Sequence, residues 1–171
     1  AIDGAFHKEA LYGGDLPVTV DFIGFTDEQS GSFQLQLKGD GSYVISRLKG
    51  VTRDNLPVDD SDEITGRLGQ IIHTPLGKIK VDKAPSYTQF VKNGDAPELY
   101  VSRSNIYAMT DRIKGSLVAS LSEEKSTVID LTYKDVLPKR AEDVINTIIS
   151  VYRKNWLEDK NQMTISTSHF I

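Results

Sequence analysis

Asp59, Asp60, Asp62 and Glu63 put four carboxylates into one short run, a density that could hold a divalent cation or share a proton between acids. The run lacks the Asp-x-Asp-x-Asp-Gly…Glu spacing of a calcium loop, and no glycine supplies the sharp turn such a loop needs. It reads as a solvated loop. Glycosidase carboxylates are usually distant in sequence, and nothing here marks such a pair. His7, His73 and His169 have no zinc-ligand spacing and read as partly exposed or core-lining histidines. There is no Gly-x-Ser-x-Gly elbow to present a serine nucleophile. Gly39, Asp40, Gly41 and Ser42 look superficially like a phosphate loop, but they lack the Lys-Ser/Thr step and the strand-to-helix setting, so they read as a hairpin turn. Tyr152 and Trp156, one helical turn apart, could stack on a sugar, yet aromatics at that spacing more often line a core. The expectation is therefore no catalytic, cofactor or metal site in this segment.

Composition narrows the classes further. The 171 residues carry 24 acidic and 20 basic side chains, a net charge of −4, with 39% apolar and 26% charged residues and no cysteine. That length suits one domain, 1–171, able to bury its own core. The acidic balance argues against nucleic acid or anionic lipid as a partner, since both need a basic face. Without cysteine there is no disulfide, thiolate nucleophile or Cys-ligated metal, and the redox compartment stays undecided. No stretch reaches the ~18 apolar residues of a membrane span. The chain opens on Ala1 without a signal-like segment and stops at His169–Ile171 inside a helical pattern, so it is expected to be a piece cut from a longer protein.

The elements that must position any site read as α+β. After a leading segment, 1–16, with a short helical possibility at Ala5–Leu11, Pro17–Gly24 is a β-branched strand. Ser32–Lys38 alternates cleanly, with Phe33, Leu35 and Leu37 on one face. It turns through Gly39–Gly41 into a partner strand, Ser42–Lys49, with a bulge expected near Val44 and Ile45. Residues 53–69 read as polar turn. Gln70–Thr74 and Lys78–Val81 are short strands joined through Pro75–Gly77, and a loose stretch leads to a strand at Glu98–Ser102. Ser104 or Asn105 can cap a helix through Ile106, Met109, Ile113 and Leu117. Ser116–Leu121 and Thr127–Tyr133 form a further strand pair, the second with Ile129, Leu131 and Tyr133 on its apolar face. Pro138 is pre-set for a first helical turn, and Ala141, Val144, Ile145, Ile148, Ile149, Tyr152 and Trp156 recur at three- and four-residue steps. The fold expected is a mixed or antiparallel sheet, built from a meander and hairpins, with one short helix and one long C-terminal amphipathic helix packed on it. The outer half of that helix, in 138–171, outruns a small sheet and is expected to pack on something outside this segment.

One ordered string stands out in the C-terminal third. Leu99–Arg103, the helix ending near Leu117, the strands over Val118–Ser120 and Val128–Tyr133, and then Asp135, Pro138, Ala141, Asn146 and Tyr152 follow one another. This string resembles the extracytoplasmic region of bacterial polysaccharide co-polymerases, the Wzz-type chain-length determinants, in which a strand ends in Asp and a Pro-x-x-Ala turn opens a helix carrying Asn and Tyr. Pro17–Val20, the Gly39–Gly41 hairpin, Leu48–Gly50 and His73–Ile79 are similar to the Wzc-like tyrosine-kinase branch. The family usually has a second acid directly before the proline, where Val136 and Leu137 stand here. The resemblance covers about residues 12–171 and rests on the order of individually weak motifs.

The resemblance implies a non-catalytic periplasmic domain without cofactor, anchored to the inner membrane through flanking helices. Its parent would form homo-oligomers, work with the polysaccharide polymerase and export machinery, and set capsular or exopolysaccharide chain length; the branch likeness adds a cytoplasmic protein-tyrosine kinase. The residues it singles out are Asp135, Pro138, Ala141, Asn146 and Tyr152, with Val144, Ile145, Ile148, Ile149 and Trp156 as the packing face of the long helix. The competing reading is an extracytoplasmic carbohydrate-binding module using Tyr43, Tyr87 or Trp156, in possible direct contact with polysaccharide.

Overall fold

A computed structural model describes residues 12–91, 98–124 and 127–168. The possible helix at Ala5–Leu11 lies outside the described residues. The chain, read above as one domain, divides into two compact units, Ala1–Ile113 and Lys114–Ile171. The α+β class is as expected, with three antiparallel sheets among the described residues where one was expected.

The first unit holds β1 (Val18–Ile23), β2 (Gly31–Leu37), β3 (Ser42–Val51), β4 (Pro57–Asp60), β5 (Ile64–Arg67), β6 (Ile71–Thr74), β7 (Gly77–Lys83) and β8 (Glu98–Arg103). One sheet runs β1-β7-β6. The other runs β4-β3-β2-β8, with β5 also on β3. Val18, Ile79 and Val81 of the first sheet join Phe33, Leu35, Leu37, Tyr43, Ile45 and Leu48 of the second in one buried cluster. Two sheets each dry on one face solve the burial problem by sharing a core. The strict alternation of β2 pays off here: Phe33, Leu35 and Leu37 are fully buried, while Gln34 and Gln36 point the other way.

The β2–β3 turn forms as its sequence demands. Asp40 Oδ1 accepts from Ser42 N at 2.9 Å and from Ser42 Oγ at 2.5 Å, and Gly41 takes φ +80°. The bulge falls elsewhere than expected. Pairing is regular through Val44 and Ile45, and the shift lies between Ser32, opposite Lys49, and Gln34, opposite Ser46. Two residues, Arg47 and Leu48, there face Phe33 alone, and Arg47 takes φ 54°.

Three more elements escaped the sequence reading. Residues 53–69, read as turn, contain β4 and β5. Each is only four residues long and is held by pairing with β3, with Val58 and Ile64 packed against the core. A strand whose outward residues are Asp59, Thr65 and Arg67 does not announce itself by composition. The loose stretch before β8 contains a short helix, α1 (Tyr87–Val91). It is pinned by Ser86 Oγ donating to Leu16 O and by Tyr87 OH donating to Lys38 O at 3.4 Å. Asn105, of the two caps considered, starts α2 (Ile106–Ser116): its Oδ1 accepts from Tyr107 N at 2.8 Å and Ala108 N at 3.2 Å.

Tyr43 sits discordantly in the core. The side chain is fully buried over Gly66, its partner across β3 and β5, and its hydroxyl has no hydrogen-bond partner among the described residues. Burial pushes its ionisation above the ordinary tyrosine value. Removing an unsatisfied buried hydroxyl relieves a desolvation cost of about 1–3 kcal/mol. Tyr43→Phe is accordingly expected to leave stability unchanged or raise it by ~1 kcal/mol in urea titration; a loss of that size would show that the hydroxyl has a partner.

The second unit contains the hairpin β9 (Leu117–Leu121) and β10 (Ile129–Tyr133), then α3 (Pro138–Ser168). The strands are five residues long, ~17 Å, whereas the 31 residues of α3 extend ~46 Å. The first turns of α3 lie against β10. Val144, Ile145, Ile148 and Ile149 are half-buried, and every residue from Ser150 to Ile165 is exposed. The expectation of a long helix packed on a sheet thus holds for its start only, because the hairpin is too short to cover the rest. Leu131 and Tyr133 are half-buried as the alternation implied, but Ile129 is exposed.

Candidate functional site

Two places gather polar side chains into fixed geometry. One is the entry to α3. Asp135, two residues past β10, accepts from Arg140 Nε at 2.7 Å and Nη2 at 2.5 Å, from Leu137 N at 3.0 Å and from Tyr133 OH at 3.4 Å. Pro138 opens the helix, where its missing N–H is harmless, and the first helical bond runs from Ala141 N to Leu137 O at 3.0 Å. Asp135 therefore works as a strut tying strand end to helix start. Its side chain is 5% exposed.

The two Arg140 hydrogen bonds, reinforced by the Leu137 amide, hold the Asp135 carboxyl well below the usual carboxylate range. A carboxyl depressed in the folded state contributes stability above its unfolded pKa, ~3.9, and that contribution is lost as pH falls through the folded value. Asp135→Asn should thus lower the melting temperature at pH 7. It should also flatten the acid side of the stability profile below about pH 4. Equal acid slopes in variant and parent, followed by circular dichroism, would show that the strut carries no proton linkage.

The remaining residues of the string do not converge on this strut. Ala141 is half-buried, Asn146 is exposed, and Tyr152 lies far out on α3 at 68% exposure. Trp156, expected in a core by its spacing, is 52% exposed, with Lys160 Nζ 5.5 Å from its ring centre. Period alone cannot tell a buried stripe from one awaiting a partner.

The acidic run stays a surface feature. Asp59 pairs with Lys49 at 3.0 Å and Asp60 Oδ1 accepts from Asp62 N. Among the described residues no group of three metal-ligating side chains gathers. His73 is exposed on β6 opposite Lys78, while His7 and His169 lie outside the described residues. Tyr43 and Tyr87 are buried, so neither offers the ring face that a sugar-stacking role requires. Among the described residues no helix is long and apolar enough to cross a membrane.

The second place was not foreseen. Three turns meet at one end of the sandwich: β1–β2, β3–β4 and β6–β7. They line an open groove of about 420 Å³ whose apolar residues are Ile23, Phe25 and Leu76 and whose cations are Arg53 and Lys78. The β1–β2 turn is tied down carbonyl by carbonyl. Arg53 Nη2 donates to Gly24 O at 2.9 Å, and Arg103 donates to Thr26 O at 2.9 Å and to Gln29 O. Ile106 N donates to Asp27 O at 2.9 Å and Asn105 Nδ2 to Glu28 O at 3.0 Å. Gln29, only 4% exposed, accepts from Thr26 N and donates to Val51 O. The Arg103 guanidinium also lies 5.6 Å from the Phe25 ring centre. Gly24 and Gly77 mark these turns in the sequence, but the clamping residues come from up to 77 positions away and carry no local signal.

No protein-family model matches this chain, and no curated protein matches it.

Proposed function

We propose that the chain is a non-catalytic periplasmic domain of an inner-membrane polysaccharide co-polymerase, of the kind whose parent carries a tyrosine kinase. It acts by association: copies assemble through the long helix, and the assembly, engaged with the polymerase and export machinery, sets the chain length of capsular or exopolysaccharide. What supports this reading, beside the ordered string of motifs, is the outer half of α3. Val151, Tyr152, Trp156 and Leu157 are each more than half exposed there, and an apolar series left in water marks a surface that a partner covers.

The test is Tyr152→Glu combined with Trp156→Glu in the protein expressed from its own gene. Both positions are exposed, so folding should survive. The expected result is a smaller assembly by sedimentation and a broadened polysaccharide length distribution on gels. An unchanged assembly and an unchanged length distribution, at equal protein abundance, would remove the proposal.

A further inference from the structure

We infer that the groove at the end of the sandwich is a binding site for a small carboxylate carried on an apolar body. The inference is independent of the proposed function: a domain acting through α3 needs no ligand here, and this groove could serve a domain of any role.

Three observations carry it. The first is the pairing of chemistries. Ile23 and Phe25, with the almost fully buried Leu76, form the apolar lining, and Arg53 and Lys78 line the same groove. Among the described residues neither cation has a carboxylate within ion-pair distance, so both charges are open to an incoming anion. Asp27 and Glu28 belong to the same turn but do not line the groove.

The second is rigidity. Five carbonyls of the β1–β2 turn, those of Gly24, Thr26, Asp27, Glu28 and Gln29, each accept a hydrogen bond from outside the turn. A loop needed only to connect two strands does not require that many anchors, whereas a preformed site does, because ordering is then complete before the ligand arrives. Gln29 contributes by closing the turn from inside with both ends of its amide.

The third is size and shape. The groove is open to solvent, and its volume near 420 Å³ admits a small acid lying against it; loops at the end of a sandwich are where such sites form. Arg53 spends one nitrogen on the Gly24 carbonyl. The rest of its planar fork suits a carboxylate, with Lys78 as a second positive charge lining the same groove. The apolar residues favour an acid with a compact hydrocarbon part over inorganic phosphate, which would leave them wet.

That chemistry has two sources, a free short-chain acid and the C-terminal carboxylate of a peptide ending in an apolar residue. The test titrates the full 171-residue chain, isotopically labelled, by NMR. The probes are 4-methylvalerate, N-acetyl-leucine, its uncharged amide and inorganic phosphate. The expected result is saturable binding of at least one of the two acids, with shifts confined to the three turns, at least tenfold weaker binding of the amide, and weakening with salt. Lys78→Gln and Arg53→Gln, each kept only if its spectrum shows the native fold, should each reduce affinity about tenfold. If N-acetyl-leucine exceeds 4-methylvalerate, the site takes a peptide terminus; if not, it takes the free acid. Failure of both acids to saturate at tens of millimolar, equal binding of the amide, or phosphate binding as tightly as the acids would each overturn the inference. So would unchanged affinity in both folded variants. None of these outcomes touches the assembly test on α3.

Discussion

Phe33→Ala is expected to lower the unfolding free energy of the first unit by ~3–5 kcal/mol, a large share of the ~5–15 kcal/mol that holds a typical domain together. Phe33 is fully buried and sits on β2, the strand that pairs with both β3 and β8. Its ring lies 6.1 Å from that of Phe22 on β1, so it bridges the two sheets. Truncation would remove the ring's transfer energy and also leave a void, because the bulge opposite, at Arg47 and Leu48, fixes the backbone and limits collapse. The effect should appear as a shift in the urea midpoint with an unchanged slope. Trp156→Ala removes a ring of larger area, yet it should change the unfolding free energy of the isolated chain by less than about 1 kcal/mol, since that residue is 52% exposed. A larger effect for Trp156 than for Phe33 would mean that the outer half of α3 is covered in solution.

The contrast between these two aromatics shows how far the residues alone could be read. Phe33 lies in a strict period-2 pattern flanked by glutamines and closed by an Asp-Gly turn, so pattern, turn chemistry and burial agree. Trp156 lies in an equally good helical pattern, but burial of a helix face depends on what is placed beside it, and a hairpin of five-residue strands reaches only the first turns. β4 and β5 were missed for the opposite reason. Their sequences are polar because one face is solvent, and the order they have comes from β3, which already presents its unpaired edge. At the α3 entry Asp135 and Pro138 were legible, since both act within a few residues of themselves. Arg103 and Asn105 were legible only as a strand end and a helix cap. Their hold on the Thr26–Gln29 turn is a tertiary fact with no local trace.

Gly50→Ala should have an effect comparable to the loss of Phe33, although it adds only one methyl group. Gly50 on β3 pairs with Gly31 on β2, and the Leu76 side chain from the β6–β7 turn rests on this glycine pair. A Cβ at position 50 would overlap the Ser30 carbonyl oxygen and come within 2.8 Å of Gly31 Cα, and both of those are backbone. The strands must then part, and the Val51 N to Ser30 O bond, 3.0 Å long, is the first to go. A cost of ~3 kcal/mol is expected, at the upper end of overpacking penalties, because no side chain can rotate away. Gly31→Ala meets a different obstacle: its Cβ would lie 2.9 Å from Leu76 Cδ1, the far end of a flexible side chain. It should cost nearer 1 kcal/mol. Leu76→Ala should therefore rescue part of the Gly31→Ala defect in a double-mutant cycle and little of the Gly50→Ala defect. Equal rescue of both would place the conflict at position 50 in the Leu76 side chain, and the backbone approach of β2 to β3 would no longer explain why glycine is required there.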